Sequence, residues 1–100
     1  MNMIDNPVVA ARLSLQRALL GEVSDKLRAV TFSVSGACLD IKFYFDGEVG
    51  EDDLESASCV ETEVLADYEE GYKVSVRCLR VDMPSPIDDC GIWVFRRRES

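Results

Sequence analysis

Histidine is absent from this 100-residue sequence, and no hydrophobic stretch approaches membrane-spanning length. Without histidine, Ser–His and Cys–His nucleophile systems are excluded, and no imidazole is available to bind zinc. A bilayer span needs roughly 18 consecutive apolar residues, so no transmembrane helix is expected. The cysteines show no Cys-x-x-Cys spacing, and we expect them to be free and mostly buried. They are Cys38, Cys59, Cys78 and Cys90.

Positive charge is missing from a long central segment. From Phe43 to Tyr72 the chain runs 30 residues without Lys or Arg, while eleven Asp or Glu lie between Asp46 and Glu70. The net charge is −8, which argues against non-specific binding to nucleic acid or to an anionic membrane, since both need a basic surface. Concentrated negative charge serves solubility or attracts a basic partner.

The amino terminus lacks the pattern of a targeting signal. The stretch MNMIDNPVVAARLSLQRALLG has no basic n-region, and Arg12 and Arg17 interrupt the apolar run that a signal peptide needs. We therefore expect a cytoplasmic protein. The usual relation between length and domain size predicts one domain over residues 1–100.

Hydrophobic periodicity predicts a helix and a hairpin in the first half of the chain. An Asn-Pro pair and a later glycine mark the ends of a helix over residues 7–20. Alternating apolar and polar residues predict strands over 28–35 and 38–45, joined as an antiparallel hairpin with one face buried. Tyr44 lies on the outward face of this predicted hairpin.

The second half of the chain repeats the order helix, strand, strand. Helical spacing predicts a helix from about residue 51 to 68, with an apolar stripe of Leu54, Ala57, Val60, Val64 and Tyr68. A strand over 60–68 is the alternative, since Val, Thr and Tyr favour strands. Alternation from Tyr72, with a phase shift after Cys78, predicts the third strand, and residues 92–97 the fourth. The predicted fold is α+β, with two helices on one face of a four-stranded, largely antiparallel sheet in the order α-β-β-α-β-β.

The acidic pairs and loops match no known reactive or metal-binding pattern. Neighbouring carboxylates such as Glu61 and Glu63 do acid–base chemistry only in a cleft that separates their pKa values. The loop from Asp46 fails the calcium-loop pattern, which needs glycine at the sixth position, whereas Gly47 stands second. We therefore predict a non-catalytic protein without a cofactor or a metal.

The acidic block is the candidate partner-binding surface. The predicted second helix places several acids away from its apolar stripe, and the preceding loop adds more at the helix entrance. Their field would speed encounter with a basic protein, while apolar anchors would supply affinity. Tyr44 and Tyr68 are candidate anchors, with packing in the core or on the sheet face as the alternative role of each. The predicted acidic contacts are Asp46, Glu48, Glu51, Asp52, Asp53, Glu55, Glu63, Asp67 and Glu70.

Four segments resemble a group of small bacterial immunity proteins. They are RAVTFSV, FYFDGE, ETEVLADY and GIWVFRR, and the resemblance covers most of the chain from Ala29 to Arg97. The pattern is similar to that of immunity proteins of contact-dependent growth-inhibition systems, which neutralise toxin domains, often nucleases. It implies a cognate toxin as partner, and a nuclease toxin carries a basic cleft that an acidic inhibitor can occupy or cover.

The leading hypothesis is a cytoplasmic immunity protein that binds and blocks a basic antibacterial toxin, an RNase or a DNase, without contacting nucleic acid or membrane. One alternative is an acidic interaction module or nucleic-acid mimic with no link to a toxin, and a neighbouring toxin gene separates the two. Another is an enzyme of carboxylate chemistry, which an enclosed pocket converging on several acids would indicate.

Overall fold

A computed structural model describes residues 6–99. Its elements are α1 (Pro7–Ala18), β1 (Leu27–Ser35), β2 (Cys38–Phe45), α2 (Glu51–Ala66), β3 (Lys73–Arg80) and β4 (Ile92–Arg96). The α-β-β-α-β-β order confirms the prediction, and both helices end two residues earlier than expected. Within residues 6–99, neither helix is long and apolar enough to cross a membrane.

The ends of α1 form as the residue types require. The side-chain oxygen of Asn6 accepts hydrogen bonds from the backbone N–H groups of Val8 and Val9, at 3.0 and 3.3 Å. These two groups have no partner inside the helix, so the cap stabilises its first turn. After the helix, Gly21 has φ +81°, a left-handed conformation that side chains disfavour and glycine allows.

The four strands form one mixed sheet in the order β3-β2-β1-β4. Strand β1 pairs antiparallel with both β2 and β4, as a largely antiparallel sheet predicts. Strand β2, however, pairs with β3 in parallel, so the sheet is not antiparallel throughout. The reason lies in the connection, because α2 runs between these two strands and a helix is the usual link between parallel neighbours. Helix α2 is therefore a crossover, held at both ends by adjacent strands.

The main core lies between the sheet and the two helices. The inward residues Phe32, Ile41 and Phe43 of the central strands are fully buried, and they share one cluster with Leu15 of α1 and Val60 of α2. Each fully buried side chain of this kind stabilises the fold by about 1.5–3 kcal/mol. This packing fixes the orientation of α2 and hence the direction of its other faces.

The opposite face of β1 is also buried, which corrects the expectation of a one-sided hairpin. Every residue from Leu27 to Phe32 is buried, including the polar Thr31. The segment between β3 and β4 lies over this face, where Asp89 accepts hydrogen bonds from Thr31 and Tyr44. In a central strand that is covered on both sides, consecutive residues are buried instead of alternate ones.

The buried side of α2 is rotated from the predicted stripe. The helix buries Asp53, Ala57, Val60 and Val64, whereas Leu54 is 53% exposed. The prediction for Leu54 was therefore wrong. The predicted stripe contained apolar residues and Tyr68, whereas the polar Asp53 occupies the buried position one turn before Ala57.

The cysteines also differ from expectation. Cys78 is half-buried, and the other three are exposed. Cys38 begins β2 beside the hairpin turn, and Cys59 lies on an outer side of α2. Cys78 packs against the core from β3, whereas the other three lie on outer sides of their elements or in a loop, where the tendency of free cysteine to be buried did not decide their positions.

Candidate partner-binding surface

Asp53 belongs to the internal structure of α2. Its carboxylate accepts a hydrogen bond from the backbone N–H of Gly50, the N-cap residue, at 2.9 Å. It also lies 2.7 Å from the Nζ of Lys26, and only 5% of the side chain is exposed. Burial would raise the pKa of Asp53, but the hydrogen bonds from Lys26 and Gly50 outweigh it and leave the pKa lowered. This predicted contact residue is therefore already occupied within the fold.

Tyr44 is likewise unavailable as an exposed anchor. The side chain lies on the outer face of β2, but only 6% of it is exposed, and its hydroxyl donates to Oδ2 of Asp89. Burial, followed by this hydrogen bond, raises the pKa of Tyr44 to about 12. The expected outward side chain is thus covered by the segment from β3 to β4. Tyr44 therefore packs against the sheet face, which was the alternative to a role as an anchor.

Two further predicted contacts are acids held in ion pairs. Asp67 accepts hydrogen bonds from Ser14 and Arg17 of α1. The Ser14 hydroxyl is the main reason that the pKa of Asp67 is lowered, and burial opposes it. Asp46 lies 3.2 Å from the guanidinium of Arg97. Both carboxylates are partly exposed, but their charges are largely compensated within the molecule.

The remaining predicted acids are exposed, and none of them forms an ion pair with another residue of the described 6–99 range. Most lie on the solvent side of α2 or at its entrance, and Glu70 lies in the turn after the helix. The half-buried Glu61 lies among them. We call the following set the acidic face: Glu48, Glu51, Asp52, Glu55, Glu61 and Glu63.

Basic side chains of β2 and β3 point away from the acidic face. On β3 the exposed residues Lys73 and Arg77 alternate with half-buried residues that pack against the core beneath α2. Lys42 of β2 is the register neighbour of Arg77, and its Nζ lies 3.9 Å from Asp89 on the outer face. The sheet therefore separates these bases from the acids of α2.

Sequence reasoning missed two exposed leucines on α2. Leu54 and Leu65 are 53% and 45% exposed, although one had been assigned to the core. If Asp53 is counted among the buried residues of α2, the buried side of the helix points away from Leu54 and Leu65, and both are then expected to be exposed. The role of Asp89 was also missed, because an acidic residue in a loop gives little signal in the sequence.

Comparison with protein families matches residues 9–99 to the MafI2 immunity protein family. The match spans most of the chain, from the first turn of α1 through all four strands, and the protein therefore belongs to this family. A search of curated proteins finds no match.

Proposed function

We propose that this protein neutralises a cognate nuclease toxin by binding its basic nucleic-acid cleft through the acidic face. The observation that carries the proposal is the set of exposed carboxylates on one rigid helix, facing away from the bases of the sheet. Membership of an immunity protein family supports a toxin as the partner. The protein acts by occupation, and no catalytic step is assigned to it.

The chemistry of the partner follows from the charge of the surface. A nuclease holds the phosphate backbone with Lys and Arg, so its cleft attracts a surface that presents carboxylates at comparable density. Such a field accelerates association, and the effect weakens as salt screens it beyond about 8 Å at physiological ionic strength. The proposed site of action is the cytoplasm, where a nuclease toxin meets its substrate.

Binding to the toxin encoded beside this gene tests the proposal. The toxin domain is purified in a form inactivated by substitution, and association and dissociation are followed by biolayer interferometry. The double variant Glu55→Lys/Glu63→Lys should slow association at least tenfold at low salt, because steering by complementary charge changes rates by one to three orders of magnitude. The active toxin, assayed on RNA and DNA, should be inhibited by the wild-type protein.

Asp88→Lys is the matched control for charge. Asp88 is exposed in the segment between β3 and β4, and the variant changes net charge by the same amount per site. It should leave association within about twofold, since it lies away from α2. A wild-type protein that neither binds nor inhibits the neighbouring toxin would refute the proposal. If Asp88→Lys and the single variant Glu55→Lys slow association equally, the association rate depends on net charge and not on the acidic face.

A further inference from the structure

Two exposed leucines of α2 share one side of the helix. Leu54 and Leu65 are eleven residues apart, a spacing that returns to nearly the same side after three turns. Ser58 and Glu61 lie between them on the same line. We call these four residues the leucine stripe. At a rise of 1.5 Å per residue, the two leucines are about 16 Å apart along the helix axis.

The leucine stripe lies away from α1. Asp67, which follows α2, contacts Ser14 and Arg17 of α1. Leu65 precedes Asp67 by two residues, which turns it about 200° around the axis. Both leucines therefore point to the side remote from α1, and the arginines of α1 do not cover them.

The surroundings of the leucine stripe are acidic. Glu51 lies about one turn before Leu54 and Glu61 one turn before Leu65, and Glu55 directly follows Leu54 in the sequence. On β3, against which α2 packs, Lys73 and Arg77 point to the opposite side of the sheet. Exposed apolar side chains with carboxylates beside them complement an apolar hollow that is bordered by Lys or Arg.

We infer that the leucine stripe is the apolar anchor of the toxin complex, with Leu54 and Leu65 entering two hollows in a basic surface of the toxin. This inference rests on the proposed function. It adds the packed apolar contacts that the acidic face cannot supply. Charged groups at the rim of an interface mainly set the association rate, whereas packed apolar anchors hold the complex together. The helix then lies lengthwise on the toxin, with its carboxylates forming the polar rim.

The test compares three leucine-to-glutamine variants in the same binding assay. Leu54→Gln and Leu65→Gln keep side-chain length and helix propensity while removing the apolar surface. Each should weaken binding roughly five- to tenfold, since about half of a leucine remains to be buried. The loss should appear in the dissociation rate, in contrast to the association effect of Glu55→Lys/Glu63→Lys.

Leu13→Gln is the matched control, because Leu13 is 48% exposed on α1 and lines a groove of about 780 Å³ between α1, the hairpin and the segment that follows α2. It should leave binding within about twofold, since it lies outside the proposed contact. The conservative variant Leu65→Met should keep near-normal affinity, which separates lost apolar contact from a general effect of substitution. Circular dichroism melting of each variant reports whether it remains folded.

The outcomes separate this inference from the proposed function. If the wild type binds the toxin and both α2 variants bind equally well, the leucine stripe is not the anchor, while the proposed function stands. An equal loss with Leu13→Gln would place the anchor in the groove and overturn the inference. Light scattering that shows a dimer of the wild type, lost in Leu65→Gln, would mean that a second copy covers the leucine stripe, and it would overturn the inference. No toxin binding by the wild type would refute the proposed function itself.

Discussion

Replacing Asp89 with alanine should destabilise the protein by roughly 3–5 kcal/mol. The carboxylate is 3% exposed and accepts hydrogen bonds from the hydroxyls of Thr31, at 2.8 Å, and Tyr44. Both donors are buried, so the variant leaves each without its acceptor, and a buried polar group without a partner costs about 1–3 kcal/mol. The backbone N–H of Gly91 loses an acceptor as well.

The assay is urea unfolding followed by the fluorescence of Trp93, the only tryptophan of the sequence. Its indole N–H donates to the backbone carbonyl of Asp89 at 3.3 Å, so the reporter lies at the perturbed segment. Asp88→Ala is the control, because this neighbouring acid is exposed. It should change the free energy of unfolding by no more than about 0.5 kcal/mol.

A double-mutant cycle with Tyr44→Phe tests the specific contact. Tyr44→Phe alone should cost about 1.5–3 kcal/mol, the usual range for a hydrogen bond to a charged group. In the double variant with Asp89→Ala, the loss should fall short of the sum by more than about 1 kcal/mol, because residues in contact are not additive. A loss below about 1 kcal/mol for Asp89→Ala, or strict additivity, would refute the reasoning that Asp89 is the shared acceptor.

Three further predictions concern stability. The pKa values of Asp53, Asp67, Asp89 and Glu99 are lowered in the folded state, that of Glu99 to about 2. The unfolded chain therefore binds protons more readily than the folded protein. The stability that these groups contribute is present above about pH 4–5 and is lost as the pH falls towards their pKa values in the folded state. Urea unfolding at pH 7, 4 and 3 should show this decline, and an unchanged free energy of unfolding would contradict it. Gly91→Ala should lower the free energy of unfolding by about 1–3 kcal/mol, because a Cβ there meets Oδ1 of Asp89 at 2.8 Å and the Phe32 carbonyl oxygen at 2.9 Å. Gly50→Ala is the control: a Cβ there has no contact closer than 3.7 Å, so its effect in the same assay should be small. Arg28→Met should lower the free energy of unfolding by about 2–3 kcal/mol, measured by thermal or urea unfolding, because the buried guanidinium donates to Glu99 and to the carbonyls of Val81 and Ser85. Arg12→Met, at an exposed position of α1, is its control and should be nearly neutral.

The positions of helices and strands were predictable because local patterns specify them. The Asn6 cap and the alternation from Cys38 to Phe43 depend on neighbouring residues, and both are present in the structure. The parallel pairing of β2 with β3 was not predicted, because pairing depends on contacts between residues more than thirty positions apart. The presence of α2 between them was nevertheless an available signal, since a helical crossover favours parallel neighbours.

The candidate surface was only partly predictable for a related reason. Acidic side chains can be counted in a sequence, but their pairing cannot. Asp53 of α2 contacts Lys26, which precedes β1, and Asp67 contacts α1, so these charges are compensated by contacts that only the tertiary structure creates. Tyr44 was placed on the correct face of β2, but the segment that covers that face carries Asp89, forty-five residues away.

The crossover position of α2 bears on how such a protein can diversify. Every turn of this helix combines a core position, such as Ala57 or Val60, with outward positions, such as Glu55 or Glu63. Substitution of the outward residues alters what the helix presents without touching the residues that join it to the sheet. A new partner preference can therefore evolve on an unchanged frame, through a few replacements confined to one helix.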